Sequence, residues 1–576
     1  MSSSARSAGR AARAPGYVAP AAGHSAPAAK YPAPAAGPAA APAAGPARRT
    51  VERHPWWQDA RWWLAGVCAA FGLLSLTVVH PGLPLGWDEL VYASRFAPYG
   101  PETPFSAPRT RGVPVLLAPV AAFSDSVVLL RCYLTLTASL SLFLGYLPWL
   151  GRFPGRGTVP LAAALYGSVW IALFYAGAAM PNHYVATGLV AAVGCFLRRP
   201  ATGRTRAGAA AALALAALMR PNDAVWPALV LLAAAALGGR RPSLRVRTRT
   251  ALALACGLAA GLLPWAVEAS LRFGGVLRRV RAASEIQGGM SPRLTLDTLR
   301  AHAAALDGPL LCRPCDGAAI EWANAGWWLL IPPLLVLGLR AAREQGRTAS
   351  AVLPLAAAAA VALPYLFLME YAAPRFLLPA YALLAPVAAL GALRAARWAR
   401  ARGARPARVL VRLGGGALAA LHLALQLQQL GLHSGIQAAA RHDWQRIEEV
   451  LRAHGVRPPC VLGGNSSTIP VAHTAGCHPA QGRTPHALVL RGAPLPAWAE
   501  AADWHLHPVP HTYNPGWHVA FPPRADAPHG PPGLPRPPGP SRPTGPTWPT
   551  TSPGVRGSSY EASPTGQLTP VPPIPQ

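Results

Sequence analysis

About eleven apolar stretches recur along the middle of this chain, at roughly 62–80, 126–149, 159–179, 184–197, 207–220, 224–239, 251–270, 325–340, 350–369, 376–393 and 409–430. Most approach the roughly 17–25 residues that a helix needs to cross a hydrocarbon layer about 30 Å thick. A water-soluble core cannot bury so many. With 52% hydrophobic and 13% charged residues and a mean hydropathy of +0.25, the chain must dissolve in lipid. The expected fold is an all-α polytopic membrane bundle over residues 56–431, because in lipid every backbone polar group must be satisfied internally. Embedded Gly and Pro are compatible with it, since small residues let backbones approach and neighbouring helices satisfy freed backbone groups.

The formal charge of +30 points first to nucleic acid. Binders of that kind concentrate Lys and Arg on folded polar faces, whereas here arginines punctuate apolar runs. Lys30 is the lone lysine, and the abundance of Arg, Ala, Pro and Gly fits a GC-rich coding bias. The arginines also set orientation. Arg152/Arg156, Arg198/Arg199/Arg204/Arg206, Arg240/Arg241/Arg245/Arg247/Arg249, Arg340/Arg343/Arg347 and Arg394/Arg397/Arg400/Arg402/Arg405/Arg408 all fall on one face when the spans are counted. Positive loops stay inside, so this face is expected to be cytosolic. The reading is a multi-pass plasma-membrane protein with a cytosolic N-terminus and an extracytoplasmic C-terminal part. Residues 1–55 and 521–576, rich in Ala, Pro, Gly and Ser, read as disordered tails.

The opposite loops hold most of the acids: Asp88, Glu89, Glu102, Asp223, Glu285, Asp297, Asp307, Asp316, Glu321 and, at a helix end, Glu370. Short outer loops tolerate acids, so this alone assigns no role. The long first outer loop, residues 81–125, says more. It opens Pro81-Gly82-Leu83-Pro84-Leu85-Gly86-Trp87-Asp88-Glu89 and continues through Arg109-Thr110-Arg111-Gly112 into an apolar stretch, 113–123. That stretch is too short to span and reads as an interfacial or re-entrant helix. The adjacent carboxylates suit a general base, a cation site, or neither; a base near a low-dielectric surface gains proton affinity. The arginines suit an anion, and phosphate is the obvious one.

These residues resemble a known family, the polytopic C-superfamily glycosyltransferases, which include protein O-mannosyltransferases, lipid A aminoarabinose transferases and actinobacterial arabinosyl- and mannosyltransferases. The resemblance rests on Asp88-Glu89, the Arg-Gly/Pro-rich end of the same loop, Met219-Arg220-Pro221-Asn222-Asp223, Glu370-Tyr371-Ala372-Ala373-Pro374-Arg375, and a small outer domain at the C-terminus. It implies transfer of a sugar from a polyprenyl-phosphate donor to an extracytoplasmic glycan, lipid or protein acceptor, with inversion at the anomeric carbon. Asp88 would then take the acceptor proton, with Glu89 orienting it or sharing a divalent cation. Arg109, Arg111, Arg220 and Arg375 would hold the donor phosphate. No lysine-based phosphate site is present, and no motif fixes the sugar.

Other positions carry two readings each. His183, in a turn between two spans, suits a phosphate or hydroxyl contact as well as a helix cap. Arg220 and Asp223 suit pairing with each other, and Arg375 beside Glu370 suits the same. The outer segment 271–324 holds Cys312-Arg313-Pro314-Cys315, a disulfide or two thiols rather than zinc, which wants four ligands. Residues 432–520 read as a small α/β domain, with a helix around His442–Leu451, strands at Cys460–Gly464 and Ala487–Leu490, and a helix over Ile469–Gly476. Cys460 and Cys477 could bridge in an oxidising exterior. A transporter or flippase for lipid-linked or small polar substrates would carry charges at mid-span and pseudo-symmetric halves. Here charges cluster at span ends. A non-enzymatic scaffold is the remaining alternative.

Overall fold

The computed structural model describes residues 59–237, 243–289, 291, 296–308, 310–311, 319–369, 371–402 and 405–523. Glu370, Cys312 and Cys315 lie outside them, as do most residues of both expected tails. In chain order, α1 (Ala60–Val78) is followed by α2 (Trp87–Ala93) and α3 (Gly112–Ala121). Next come α4 (Val127–Tyr146), α5 (Thr158–Gly167), α6 (Trp170–Ala176), α7 (Asn182–Leu197), α8 (Gly203–Met219) and α9 (Pro221–Leu237). Then follow α10 (Leu244–Arg272), α11 (Val276–Ile286), α12 (Asp297–Ala304), α13 (Trp322–Ala325), α14 (Ile331–Glu344), α15 (Ala349–Phe367), α16 (Leu378–Arg402) and α17 (Arg405–Ala453).

Over its described residues, each expected apolar stretch is largely helical. Among the described residues, seven helices are long and apolar enough to cross a membrane, and α5 with α6 make an eighth if the bent pair is one span. Three others, α7, α8 and α9, have 16, 17 and 17 residues and reach about 24–26 Å. The chain is a multi-pass membrane protein.

The stretch 159–179 is not the single straight span that its hydropathy suggests. It bends by 78° between α5 and α6, where Val169 is extended. The lost helical bond is replaced from elsewhere: the Trp170 amide donates to Gln426 Oε1 on α17 at 2.9 Å, and the Trp170 indole donates to the Leu306 carbonyl at 2.9 Å. A buried backbone donor keeps a partner, so the bend is sustained within the bundle.

Small residues set the packing. Gly338 on α14 faces the Val387 carbonyl and Gly391 on α16 faces the Leu334 carbonyl, so closely that a side chain at either would collide with backbone. At one end of the bundle the arginine-rich loops meet. Arg347 donates to the carbonyls of Gly151 and Arg152, Arg152 donates to Ser350 Oγ at 3.3 Å, and Arg394 pairs with Glu344. The first loop, with α2 and α3, lies at the other end.

Residues 432–453, expected as the start of a separate domain, instead continue α17 without a break. The helix runs 49 residues, about 73 Å, and carries Trp444, Ile447 and Leu451 into the core of the C-terminal domain. That domain contains β1 (Val461–Gly464), α18 (Thr468–Ala475), β2 (His478–Pro479), β3 (Ala487–Arg491), α19 (Ala497–Glu500), β4 (His505–Pro508) and β5 (Trp517–Phe521). Its sheet has the order β2-β1-β3-β5-β4, parallel across β2, β1 and β3 and antiparallel across β3, β5 and β4. Phe521, expected to open the tail, ends β5. Cys460 and Cys477 form a disulfide beside β1 and β2. The domain touches the first loop, where the His473 ring of α18 stacks on Tyr99 at 6.5 Å.

Candidate active site

Asp88 and Glu89 are consecutive in α2, and a helix turns about 100° per residue, so the two carboxylates point different ways. Asp88 Oδ1 accepts from Arg109 at 2.6 Å, and Asp88 Oδ2 lies 3.6 Å from Arg375. Its side chain is 39% exposed. Glu89 is buried. It accepts from the amides of Gly86 at 2.7 Å and Ala179 at 3.0 Å, and meets Arg131 at 3.2 Å and Arg441 at 3.4 Å. Burial alone would raise its carboxyl; Arg131, Arg441 and the Gly86 amide outweigh that and hold it below the ordinary value.

This divergence corrects the expectation of a carboxylate pair acting together. Glu89's oxygens are taken by Gly86, Ala179, Arg131 and Arg441, whereas Asp88 is held by Arg109 and Arg375, so the two carboxylates share no partner. The acidic pair does not fit a metal, and among the described residues no group of three or more His, Cys, Asp or Glu is placed to hold one.

Around Asp88 the arginines converge. Arg375, in the turn Pro374–Leu377 before α16, donates to the Leu310 carbonyl at 3.0 Å and to the Tyr175 hydroxyl at 3.4 Å. Arg220, at the end of α8, pairs with Asp223 at 3.4 Å, and Asp223 accepts from Tyr365. The guanidinium carbons of Arg220 and Arg375 lie 4.8 and 5.2 Å from the centroid of one ring, Phe376. Tyr92, one turn along α2 from Asp88, is pushed up to about 12 by burial; Arg109, Arg220 and Arg375 oppose that shift and Asp88 adds to it. All four charges therefore act on one hydroxyl. The Nε atoms of Arg109 and Arg375 are buried and make no hydrogen bond, so donors remain for a polar group in this cluster.

The loop that carries Arg109 is stapled from behind. Arg279 of α11, fully buried, donates to the carbonyls of Ala107 at 3.1 Å and Arg109 at 2.8 Å, and to Glu268 at 3.0 Å. Arg111 is part of this staple. It pairs with Glu268 and packs over Phe105, its guanidinium carbon 4.2 Å from the ring centroid, so no contact places it with Arg109 on Asp88.

His183 also departs from the expected site. It is fully buried within α7, stacks on Phe71, shares a hydrogen bond with the Tyr166 hydroxyl at 3.0 Å and has its other nitrogen 3.0 Å from the Ala138 carbonyl. Both ring nitrogens are occupied in the bundle interior, which leaves neither for a ligand.

Sequence reading passed over Arg131, Arg279, Arg441, Tyr175 and Tyr365. One of these carried a signal. Arg131 interrupts the apolar run of α4, and a buried intramembrane cation is costly unless paired; its partners are Glu89 and the carbonyls of Leu83, Pro84 and Gly177. The others depend on contacts across more than a hundred residues of chain.

No protein-family model matches this chain, and no curated protein matches it in sequence. Solved structures do match. ArnT from Cupriavidus metallidurans, in a crystal structure bound to undecaprenyl phosphate, is 14% identical with a TM-score of 0.51, over 80% of this chain and 98% of that one. Its apo state gives 13% identity and a TM-score of 0.52 over the same shares. At these identities the likeness establishes architecture alone: the chain shares the polytopic fold of ArnT.

Proposed function

We propose that this protein is an inverting glycosyltransferase that takes a sugar from a polyprenyl-phosphate donor. The acceptor hydroxyl lies on the membrane face that carries Asp88. That face is extracytoplasmic, because the arginine-rich loops gather at the opposite end and positive loops stay in the cytosol. The observation that carries the reading is the cluster itself: a half-exposed carboxylate gripped by Arg109 and Arg375, with Arg220 beside them, where the first loop meets the helix ends. A neighbour of the same fold was crystallised with undecaprenyl phosphate, the chemical class such a cluster would recognise.

The chemistry follows from this arrangement. The acceptor oxygen attacks the anomeric carbon, the bond from that carbon to the phosphate oxygen breaks, and the bonding pair leaves with the polyprenyl phosphate. The acceptor proton passes to Asp88. Charge growing on the phosphate is met by Arg109, Arg220 and Arg375, preorganised donors in a water-poor site. A single displacement inverts the anomeric centre. Before the donor arrives, both Asp88 oxygens are turned to guanidinium groups. A phosphate competes for those groups and frees a carboxylate oxygen for the acceptor, so the donor assembles its own base.

Binding of decaprenyl phosphate to purified protein tests the reading directly. Wild type is expected to bind it, and Arg220→Gln with Arg375→Gln to weaken binding by about 10²-fold, since charge-assisted contacts to phosphate are among the stronger ones. Equal binding by both proteins would remove the phosphate site.

A further inference from the structure

α10 ends at Arg272, and the chain turns through Gly274 and Gly275, at φ of 69° and 122°, into α11. This short helix has three sides. Arg279 and Ala283 are buried against the bundle. Val276, Leu277 and Val280 are 43%, 74% and 48% exposed, and at about 100° per residue they form one stripe. Arg278 and Arg281 are exposed on the side next to that stripe. The apolar surface continues onto α10, where Leu263, Val267 and Leu271 recur every four residues, 60%, 48% and 79% exposed. With Arg111 and Arg272 they line a groove of about 450 Å³.

Eleven residues are too few to span a bilayer, and arginines beside the stripe exclude burial in hydrocarbon. A helix of this make lies in the plane of the interface, apolar side down. The charge there is unbalanced. Glu268, the acid lining the groove, is already met by Arg111 and Arg279, while Arg272, Arg278 and Arg281 make no ion pair or hydrogen bond among the described residues. Three exposed guanidinium groups, with Glu285 the one exposed acid beside them on α11, flank this exposed apolar face.

We infer that the α10–α11 corner is a binding site for an anionic glycerophospholipid, its phosphate held by Arg272, Arg278 and Arg281 and its acyl chains laid along Leu263, Val267 and Leu271. Charge complementarity sets the headgroup, and the exposed stripe sets the chains. The site differs from the Asp88 cluster, whose arginines already hold carboxylates. It bears on that cluster through Arg279, which projects from the inner side of α11 to the carbonyls of Ala107 and Arg109. A headgroup that pins α11 steadies the loop presenting Arg109.

The test is lipid retention. Delipidated full-length protein in a maltoside detergent is mixed with equal amounts of phosphatidylglycerol and phosphatidylcholine, and bound lipids are counted by native mass spectrometry. Wild type is expected to prefer phosphatidylglycerol by about tenfold, from roughly fivefold per arginine near a charged surface, part of it screened. The triple variant Arg272→Gln, Arg278→Gln, Arg281→Gln is expected to lose that preference, and Arg457→Gln with Arg483→Gln, on the exposed C-terminal domain, to keep it. An unchanged thermal melt shows the triple variant is folded; should it melt early, Arg272→Gln alone supplies the comparison. Equal uptake of the two lipids by wild type, or undiminished phosphatidylglycerol on the folded variant, overturns the site. Displacement of phosphatidylglycerol one for one by decaprenyl phosphate also overturns it, because the groove would then belong to the donor.

Discussion

Asp88 keeps 39% of its side chain exposed and Glu89 keeps 6%, and that contrast separates two kinds of residue that the sequence shows as one dipeptide. Glu89 is the anchor. Replacing it with Gln leaves Arg131 and Arg441 buried without their counter-charge, which costs about 3–5 kcal/mol, so Glu89→Gln should melt early and reach the membrane in reduced amount. The sign of its pH dependence follows from the lowered carboxyl. Stability contributed by Glu89 is fully present above the ordinary glutamate value of 4.5 and is lost as pH falls through the lower folded value. Thermal melting of wild type should hold through mildly acid solution and drop below that value, and the drop should be shallower in Glu89→Gln. The sequence made the pair conspicuous, yet could not separate its members, because separation depends on α2 being helical and on arginines from α4 and α17 reaching one side of it. His183 misled for a similar reason: its place beside Pro181-Asn182 reads as a turn, whereas packing against Phe71 and Tyr166 puts it in the core.

At the scale of elements, the site is a loop and several helix ends held in register by other elements. α2 is fixed by Arg131 of α4 and Arg441 of α17, and the Arg109 loop by Arg279 of α11. Arg279 touches none of the charges on Asp88, so it acts by position. Arg279→Gln should lower kcat and raise KM for the donor together, since a displacement of about 1 Å can cost 10²-fold, and Arg279→Lys should rescue little, because an ammonium cannot reproduce the fork of hydrogen bonds. A loss of protein level alone, with kcat and KM unchanged per molecule, would show a purely structural role. Hydropathy located the helices well, since crossing lipid demands continuous apolar length. It missed the break that follows Gly167 at Ser168-Val169, where Gln426 takes up the freed Trp170 amide, and the continuity of α17, which stays helical after 432 as Trp444, Ile447 and Leu451 pack into the C-terminal core.

Among the described residues, the bundle is coupled to a small domain through α17 and through α18, which packs on the first loop with Ile469 and His473. The Cys460–Cys477 disulfide closes a loop of 17 residues in sequence, worth about 3 kcal/mol. Cys460→Ser should therefore make residues 455–523 an early target of limited proteolysis while the bundle stays intact. Arginine loops at one end and the Asp88 cluster at the other follow from the same sequence periodicity that counted the spans, which is why the separation of the two ends was legible before any side-chain contact. The catalytic claim is narrower and rests on a single carboxylate. Its most direct measurement is envelope glycan profiling of cells in which Asp88→Asn replaces the wild-type chain, beside a deletion strain. The substitution keeps the side chain's size and should leave the protein in the membrane at its normal level, while transfer falls about 10²–10⁴-fold and the glycans match those of the deletion. Wild-type glycans made by Asp88→Asn, where the deletion lacks them, would contradict the account.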